Sequence, residues 1–416
     1  MEEVKITKLV HGGQGLGELG DGRKVFVWNA LPGEKVRARV IKKKRSYAEA
    51  IAEEILEPSK ERIAPKEENY LATSPWQIMT FKAENKYKKQ IVEELFAHEK
   101  VKLPKFGEAA SDGNEWHYRN KMEYSFWGDN DGLHLALHQR GSHGKQIVTG
   151  SQLAMPAIDA AANAICAQLS KMNARAGDLK TIVVRCSQKG EVVAALFTKL
   201  QKFKQLGLTP EVKGLRVYYS NPKSPASVPT KLLYEVGDVL LHDDLLGKGF
   251  TYDVDSFFQV NIPVFKQALR RIQEHCAEPD ITDMYAGVGS IGLSVASDAV
   301  DLVELDSATS KMAGVNASAS GLTTRVIETS TEQALDYITA DRPVIFDPPR
   351  AGLHDKVVER VLEAKPPKVI YLSCNPATQA RDLSKLQQAY KIEFFETYNF
   401  FPRTPHIEAL AVLTLL

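Results

Sequence analysis

The sequence predicts an α/β protein with a doubly wound, mainly parallel sheet in its last part, preceded by a small β-barrel and an α+β insert. Three observations lead there. Glycine-punctuated short strands fill residues 1–58, mixed strand and helix patterns fill 97–249, and from 250 to 416 strand-like and helix-like runs alternate. A chain of 416 residues, 44% apolar and 25% charged, is long enough to bury the cores of roughly two to four such units.

Lysine and arginine total 53 against 52 acids, so no global positive field draws the chain to nucleic acid or membrane. Any such attraction must be local. The opening MEEVKITKLVHGG carries acids and lacks an apolar run, and no window offers about 18 uncharged apolar residues; a cytoplasmic location without membrane contact is expected. Cys166, Cys186, Cys276 and Cys374 lie far apart with no CxxC pair, which argues against a disulfide framework and a local zinc site. No metal is expected.

In residues 1–58, turn signals at Gly12-Gly13, Asp21-Gly22 and Pro32-Gly33 separate strands whose apolar alternation, as in Val25-Phe26-Val27-Trp28, suits a closed barrel. Within 35–45 stand seven basic residues and no acid. A solvated strand edge guarded by lysines would account for them. So would nucleic-acid contact, because strand alternation puts Lys35, Arg37 and Arg39 on one face. Residues 59–96 read as a polar, proline-marked linker followed by a helix over 76–96, patterned by Ile78, Phe81, Tyr87, Ile91 and Leu95. Strand-like runs at 121–127, 133–138, 181–185, 192–197 and 215–219 surround an alanine-rich helix near 155–171, giving an insert dominated by antiparallel pairing.

After Phe250 the rhythm changes. Pro263 opens a helix with Phe265, Leu269 and Ile272 on one face, and strands follow at 281–285, 300–304, 324–328, 344–347 and 368–373, separated by helical stretches of about a dozen residues. A ligand belongs at the carboxyl ends of such strands.

The turn Tyr285-Ala286-Gly287-Val288-Gly289-Ser290 joins a strand to a helix, and its glycines let backbone approach a ligand. Gly287, Gly289 and Gly292 also satisfy GxGxxG, which leaves a nicotinamide enzyme open. Glu304 ends the next strand, where a carboxylate can accept both ribose hydroxyls of an adenosine. The fourth strand delivers Asp347-Pro348-Pro349-Arg350, a rigid extended turn suited to holding a planar base beside a methyl donor. The fifth ends in Ser373-Cys374-Asn375-Pro376. Cys374 thus precedes a proline-started helix whose N-terminus should stabilise a thiolate. Another stiffened loop, 401–408, leads through His406 to Glu408 and an apolar strand.

Together the strings Ser256-Phe257-Phe258-Gln259-Val260-Asn261, DMYAGVGSIG, DPPR, SCNP and FPRTPHIE resemble the RNA uridine-5-methyltransferase family. They stand in family order over residues 250–416. The barrel is similar to the TRAM domain many members carry, and Tyr118-Arg119-Asn120-Lys121 to their central domain. The resemblance implies a Rossmann-like class I methyltransferase domain behind an OB-like barrel, with S-adenosylmethionine as cofactor. It places Gln259, Tyr285, Gly287, Gly289, Ser290, Glu304 and Asp347 on the cofactor, Cys374 as nucleophile, Glu408 as base, and Arg119 and Lys121 on RNA. Ser290 stands where an asparagine is usual, which affects cofactor affinity rather than chemistry.

These residue types suit the reaction. Carbon 5 of uracil is a weak nucleophile until a thiolate adds at carbon 6. After methyl transfer a carboxylate must remove the carbon-5 proton, and the base must be flipped from its stack. Many relatives hold an iron-sulfur cluster on cysteines that this chain lacks: Tyr70-Leu71-Ala72-Thr73-Ser74-Pro75-Trp76 and Thr149-Gly150-Ser151-Gln152 occupy those places, so no cluster is expected. The expected partner is RNA, ribosomal (23S) rather than transfer RNA, bound by a monomer making 5-methyluridine. Rivals are a cytosine-5 methyltransferase, disfavoured by the Glu408 loop, an adenine-amine methyltransferase, disfavoured by Arg350, and a non-catalytic RNA chaperone.

Overall fold

The computed structural model describes residues 1–142, 144–224, 227–276 and 278–416. The first unit contains β1 (Glu2–Lys5), β2 (Lys8–Leu9), β3 (Gly15–Glu18), β4 (Lys24–Trp28), β5 (Lys35–Lys43) and β6 (Tyr47–Glu57), ordered β1-β5-β6-β4-β3-β2. Its two edges meet where a Cβ on Gly17 would strike Val4 and one on Gly15 would strike Ile6. Only glycine lets the sheet curl so tightly around Val4, Val25, Val27 and Ala50.

Short α1 (Tyr70–Thr73) and long α2 (Phe81–His98) follow. The helix expected over 76–96 begins only at Phe81, because Thr80 caps it by accepting from the Ala83 amide. Trp76 instead anchors the barrel: its indole donates to the Gly13 carbonyl at 3.0 Å.

The insert holds β7 (Lys121–Asp129), β8 (Gly132–His138), β9 (Lys145–Ile147), α3 (Pro156–Lys171), β10 (Leu179–Cys186), β11 (Val192–Thr198), β12 (Gly214–Tyr219) and β13 (Lys231–Gly237). They form one sheet, β13-β12-β11-β10-β7-β8-β9, antiparallel except between β11 and β12. α3 covers one face. The other, through Val193, Ala195 and Phe197, joins the core of the next unit.

The hairpin β14 (Leu240–Leu245) and β15 (Lys248–Asp253) leads into that unit, and its Leu241, Phe250 and Tyr252 enter the same core. Then come α4 (Ile262–His275), β16 (Asp280–Met284), α5 (Gly292–Val295), β17 (Ala299–Glu304), α6 (Ser307–Ala319), β18 (Thr323–Glu328), β19 (Val344–Phe346), α7 (Asp355–Ala364), β20 (Lys368–Ser373), α8 (Pro376–Leu386), β21 (Tyr390–Tyr398) and β22 (Glu408–Leu415). The sheet order is β18-β17-β16-β19-β20-β22-β21, parallel apart from β22 and β21.

The expected strict alternation fails twice. Between β16 and β17 the glycine turn consumes much of the connection and leaves only the one-turn α5; between β18 and β19 there are two 3-10 turns, at Thr331–Gln333 and Leu335–Tyr337. The reversal of strand order between β16 and β19 opens a crevice at their carboxyl ends.

α2 packs against the far side of this sheet and carries a buried polar cluster. Glu84 and Lys88, both fully buried, pair at 3.0 Å. Glu84 also accepts from the Arg403 amide and Asn399, while Lys88 donates to the Asn399 side chain and the Phe401 carbonyl. Burial pulls the Lys88 ammonium down, and Glu84 holds it up. The cluster fixes the loop carrying Phe401 and His406. Among the described residues, no helix is long and apolar enough to cross a membrane.

Candidate active site

A cavity of about 630 Å³ opens at the β16/β19 crevice, lined by residues from every strand end the sequence singled out. Tyr285 and Gly287 come from the turn after β16, Glu304 from the end of β17, Asp347 and Arg350 from the loop after β19, and Cys374 from the end of β20. Glu408 arrives differently. Antiparallel β22 pairs Ala409 with Ser373, so the residue before one faces the residue after the other. That register brings Glu408 to Cys374.

Glu304 is fixed by two backbone amides: Gly287 donates to Oε2 at 2.9 Å and Asp306 to Oε1 at 2.8 Å. Its remaining lone pairs face the cavity. Gly287, at φ 57°, leaves open space where a side chain would stand. Gly289 is not among the residues lining the cavity. A Cβ there would meet Leu293 and Leu302, so this glycine permits close packing of the helix on the sheet. Ser290 is likewise outside the lining, its carbonyl accepting from the Ser294 hydroxyl at 2.6 Å.

Gln259 sits in a loop shaped by the insert. Asn120 donates to its carbonyl at 2.9 Å, and the buried Arg185 guanidinium donates to the carbonyls of Asp253, Ser256 and Phe258. The loop thereby presents Gln259 and leaves Phe257 exposed at the cavity wall. Sequence reading missed Phe257, Arg185 and the lining residues Leu305, Phe401 and His406. Two signals were available: only one of the adjacent Phe257 and Phe258 can enter the core, and Arg185 interrupts an apolar strand.

Electrostatics in the cavity favour the protonated forms. Burial first, then the charge of Asp347, raises Glu408 well above the usual carboxylate range, with Arg350 opposing. Asp347 is pushed up to about 7 by desolvation and Asp283, and the Gln259 hydrogen bond pulls it back. Cys374 is raised to about 12 by burial, Glu408 and Asp347, while Arg350 lowers it. Burial thus opposes the thiolate expected at the helix N-terminus. Pro376 has no N–H to offer, and the Ala377 amide is already donated to the Asn375 side chain.

The expected RNA contacts fare unevenly. Lys35, Arg37 and Arg39 do share one face, but each meets glutamates: Lys35 with Glu3 at 2.8 Å, Arg37 with Glu54 and Glu3, Arg39 with Glu53 at 2.5 Å. Their charge is balanced locally. Lys121 is turned beside Arg185, Asp253 and Asp255, where burial lowers it to about 8. Arg119 stays near the mouth, its guanidinium 5.9 Å from the Phe401 ring centroid.

Glu67 joins the segments 70–76 and 149–152. Glu67 accepts from the Gln152 amide at 3.0 Å, from the Ser74 hydroxyl and from the Gln77 amide. Among the described residues, no group of three or more His, Cys, Asp or Glu side chains could hold a metal ion.

Comparison with known proteins gives this geometry a lineage. Residues 333–415 match the tRNA (uracil-5-)-methyltransferase family model, and residues 1–52 match the TRAM domain. An uncharacterized RNA methyltransferase from Lactobacillus johnsonii is 31% identical, the match covering 99% of this chain and 97% of the relative. The chain belongs to the RNA uracil-5-methyltransferase family. An uncharacterized RNA methyltransferase from Enterococcus faecalis is 29% identical over 99% of this methyltransferase and 96% of its own length. The fold is shared from end to end with Pyrococcus abyssi tRNA (uracil-54, C5)-methyltransferase, solved in complex with S-adenosyl-L-homocysteine: TM-score 0.79 at 21% identity, covering 99% of each chain.

Proposed function

We propose that this methyltransferase makes 5-methyluridine in RNA, with S-adenosylmethionine as methyl donor and Cys374 and Glu408 as the catalytic pair. The observation that carries the reading is the register of β20 and β22, which sets a thiol and a buried carboxylate face to face in one cavity with the Gly287–Glu304 wall. The residues fit the donor. Exposed Leu305 and Phe257 offer apolar ledges for a purine, Gly287 leaves room, and Glu304 can accept from ribose hydroxyls. Bound there, the donor would supply an electrophilic methyl group and a positive charge.

The protein's own part is addition and elimination. Cys374 gives up its proton to solvent, and the thiolate adds to carbon 6 of the uracil, moving the carbon-5–carbon-6 π pair onto carbon 5, which takes the methyl group. Glu408 then removes the carbon-5 proton. The electron pair returns to the ring and expels the Cys374 thiolate. The Asp347-Pro348-Pro349 turn walls the cavity between the two and holds the flipped base.

Both catalytic groups act after losing a proton, and burial raises both. Multiple-turnover formation of 5-methyluridine should therefore rise with pH from about 6 to about 9. A profile that falls across that interval removes this ionisation scheme.

We read the target as 23S ribosomal RNA, on the resemblance of residues 1–58 to TRAM-bearing relatives, and the protein as a cytoplasmic monomer. Transfer RNA is the alternative that the family model's name supports. Mass mapping of methyluridines in ribosomal and transfer RNA, from cells with and without this protein, tests both. Loss of a methyluridine from 23S RNA is the expected result, loss only from transfer RNA moves the target there, and no loss from either removes the reading.

A further inference from the structure

This inference rests on the reading of RNA as substrate and concerns how its backbone is held. Glutamates on β1 and β6 pair with Lys35, Arg37 and Arg39, so this face of β5 has little net charge to offer. The mouth of the catalytic cavity is the opposite case. Arg119 and Arg140 of the insert and Arg350 of the loop after β19 make no ion pair among the described residues.

Arg140 is the most informative. It lies in the β8–β9 connection, its guanidinium 3.9 Å from the Trp28 ring centroid of the barrel, and its Nε donates to the Leu71 carbonyl at 2.7 Å. One face is stacked and one edge fixed, which leaves the other nitrogens directed in a set geometry. Burial lowers this guanidinium, and no carboxylate offsets that burial. Arg119 is held more loosely, 5.9 Å from the Phe401 ring centroid, with its Nε 3.5 Å from the Lys121 carbonyl. All three charges reach His406, whose ring is 5.5 Å from Phe401 and which lines the cavity. Burial, followed by Arg350, Lys88, Arg119 and Arg140, drives this imidazole down to about 4. Lys88 is already paired with Glu84, which leaves three arginines without an ion pair around the His406 wall of the cavity, two from the insert and one from the loop after β19, with the barrel's Trp28 bracing one of them.

Gathering like charges without counter-ions is unfavourable unless an anion joins them. The anion that an RNA substrate brings is the phosphodiester, and planar guanidinium groups pair with it in bidentate fashion. We propose that Arg140, Arg350 and Arg119 form the grip on the RNA backbone at the mouth of the catalytic cavity, and that the basic face of β5 does not. The barrel's contribution is then to brace Arg140 through Trp28.

The test is the salt dependence of binding to a synthetic stem-loop RNA with uridines in its loop, using the full chain. Arg119→Gln/Arg140→Gln/Arg350→Gln should flatten the slope of log K against log salt by about 2, at about 0.7 for each single-strand phosphate no longer neutralised. Arg37→Gln/Arg39→Gln should leave it unchanged. Because removing the Trp28 stack could loosen the barrel, Arg350→Gln alone is measured too, and should flatten the slope by about 0.7. Retained binding of S-adenosylhomocysteine certifies the catalytic fold of each variant. An unchanged slope in Arg350→Gln and the triple variant, or loss of slope in the β5 variant instead, overturns the grip. If the wild-type protein methylates uridine in RNA, that failure touches the grip alone; if it methylates none, the underlying reading falls.

Discussion

Replacing Cys374 by alanine takes methylation to the limit of detection while RNA and S-adenosylhomocysteine binding stay within a few-fold of wild type. Among the described residues that line the cavity, Cys374 carries the one thiol, whereas Gln259, Glu304 and the Gly287 turn remain in place. Neither ligand relies on sulfur for its charge or hydrogen bonds. The measurements are methyl incorporation from labelled donor, with equilibrium binding of each ligand in parallel. A Cys374→Ala enzyme that still methylates removes the covalent route, whatever its affinity for RNA.

Glu408→Gln has a different signature. Glu408 is buried, and its Oε2 has no hydrogen-bond partner among the described residues, a costly arrangement that leaves an acceptor waiting in the cavity. The amide keeps the shape but cannot take a proton. Addition and methyl transfer proceed, elimination stalls, and turnover falls by about 10² to 10⁴. The protein should then run on a denaturing gel with RNA attached and the donor's methyl label on the adduct. Turnover at the wild-type rate, with no adduct, excludes Glu408 as the base.

The two substitutions depend on groups whose types were readable in the sequence but whose meeting was not. Cys374 and Glu408 stand at the ends of apolar runs, and each run was legible as a strand. Their approach depends on β22 inserting antiparallel between β20 and β21, which no local pattern reveals. Strands were easier to read than helices, since the glycine turn after β16 looks like a helix start yet supports only the one-turn α5. The pairing of the basic run of β5 was not legible because Glu53 and Glu54 lie on another strand, and pairing across strands is invisible until register is known. Arg140 escaped notice for the converse reason. A lone arginine in a polar turn gains meaning from Trp28, far away in sequence.

The buried cluster on α2 sets a timetable for synthesis. Glu84 and Asn399 are 315 residues apart, and at about 5 to 20 residues per second the second is made roughly 15 to 60 s after the first. Through that interval Lys88 and Glu84 remain hydrated on an unfinished face of the helix, because the groups that compensate their burial do not yet exist. The barrel and the insert sheet have all their strands long before then. The wall that carries Phe401, His406 and Glu408 is the last part to settle, so a nascent chain halted before residue 399 holds the glycine turn and Cys374 but neither Glu408 nor the clasp that seats its loop.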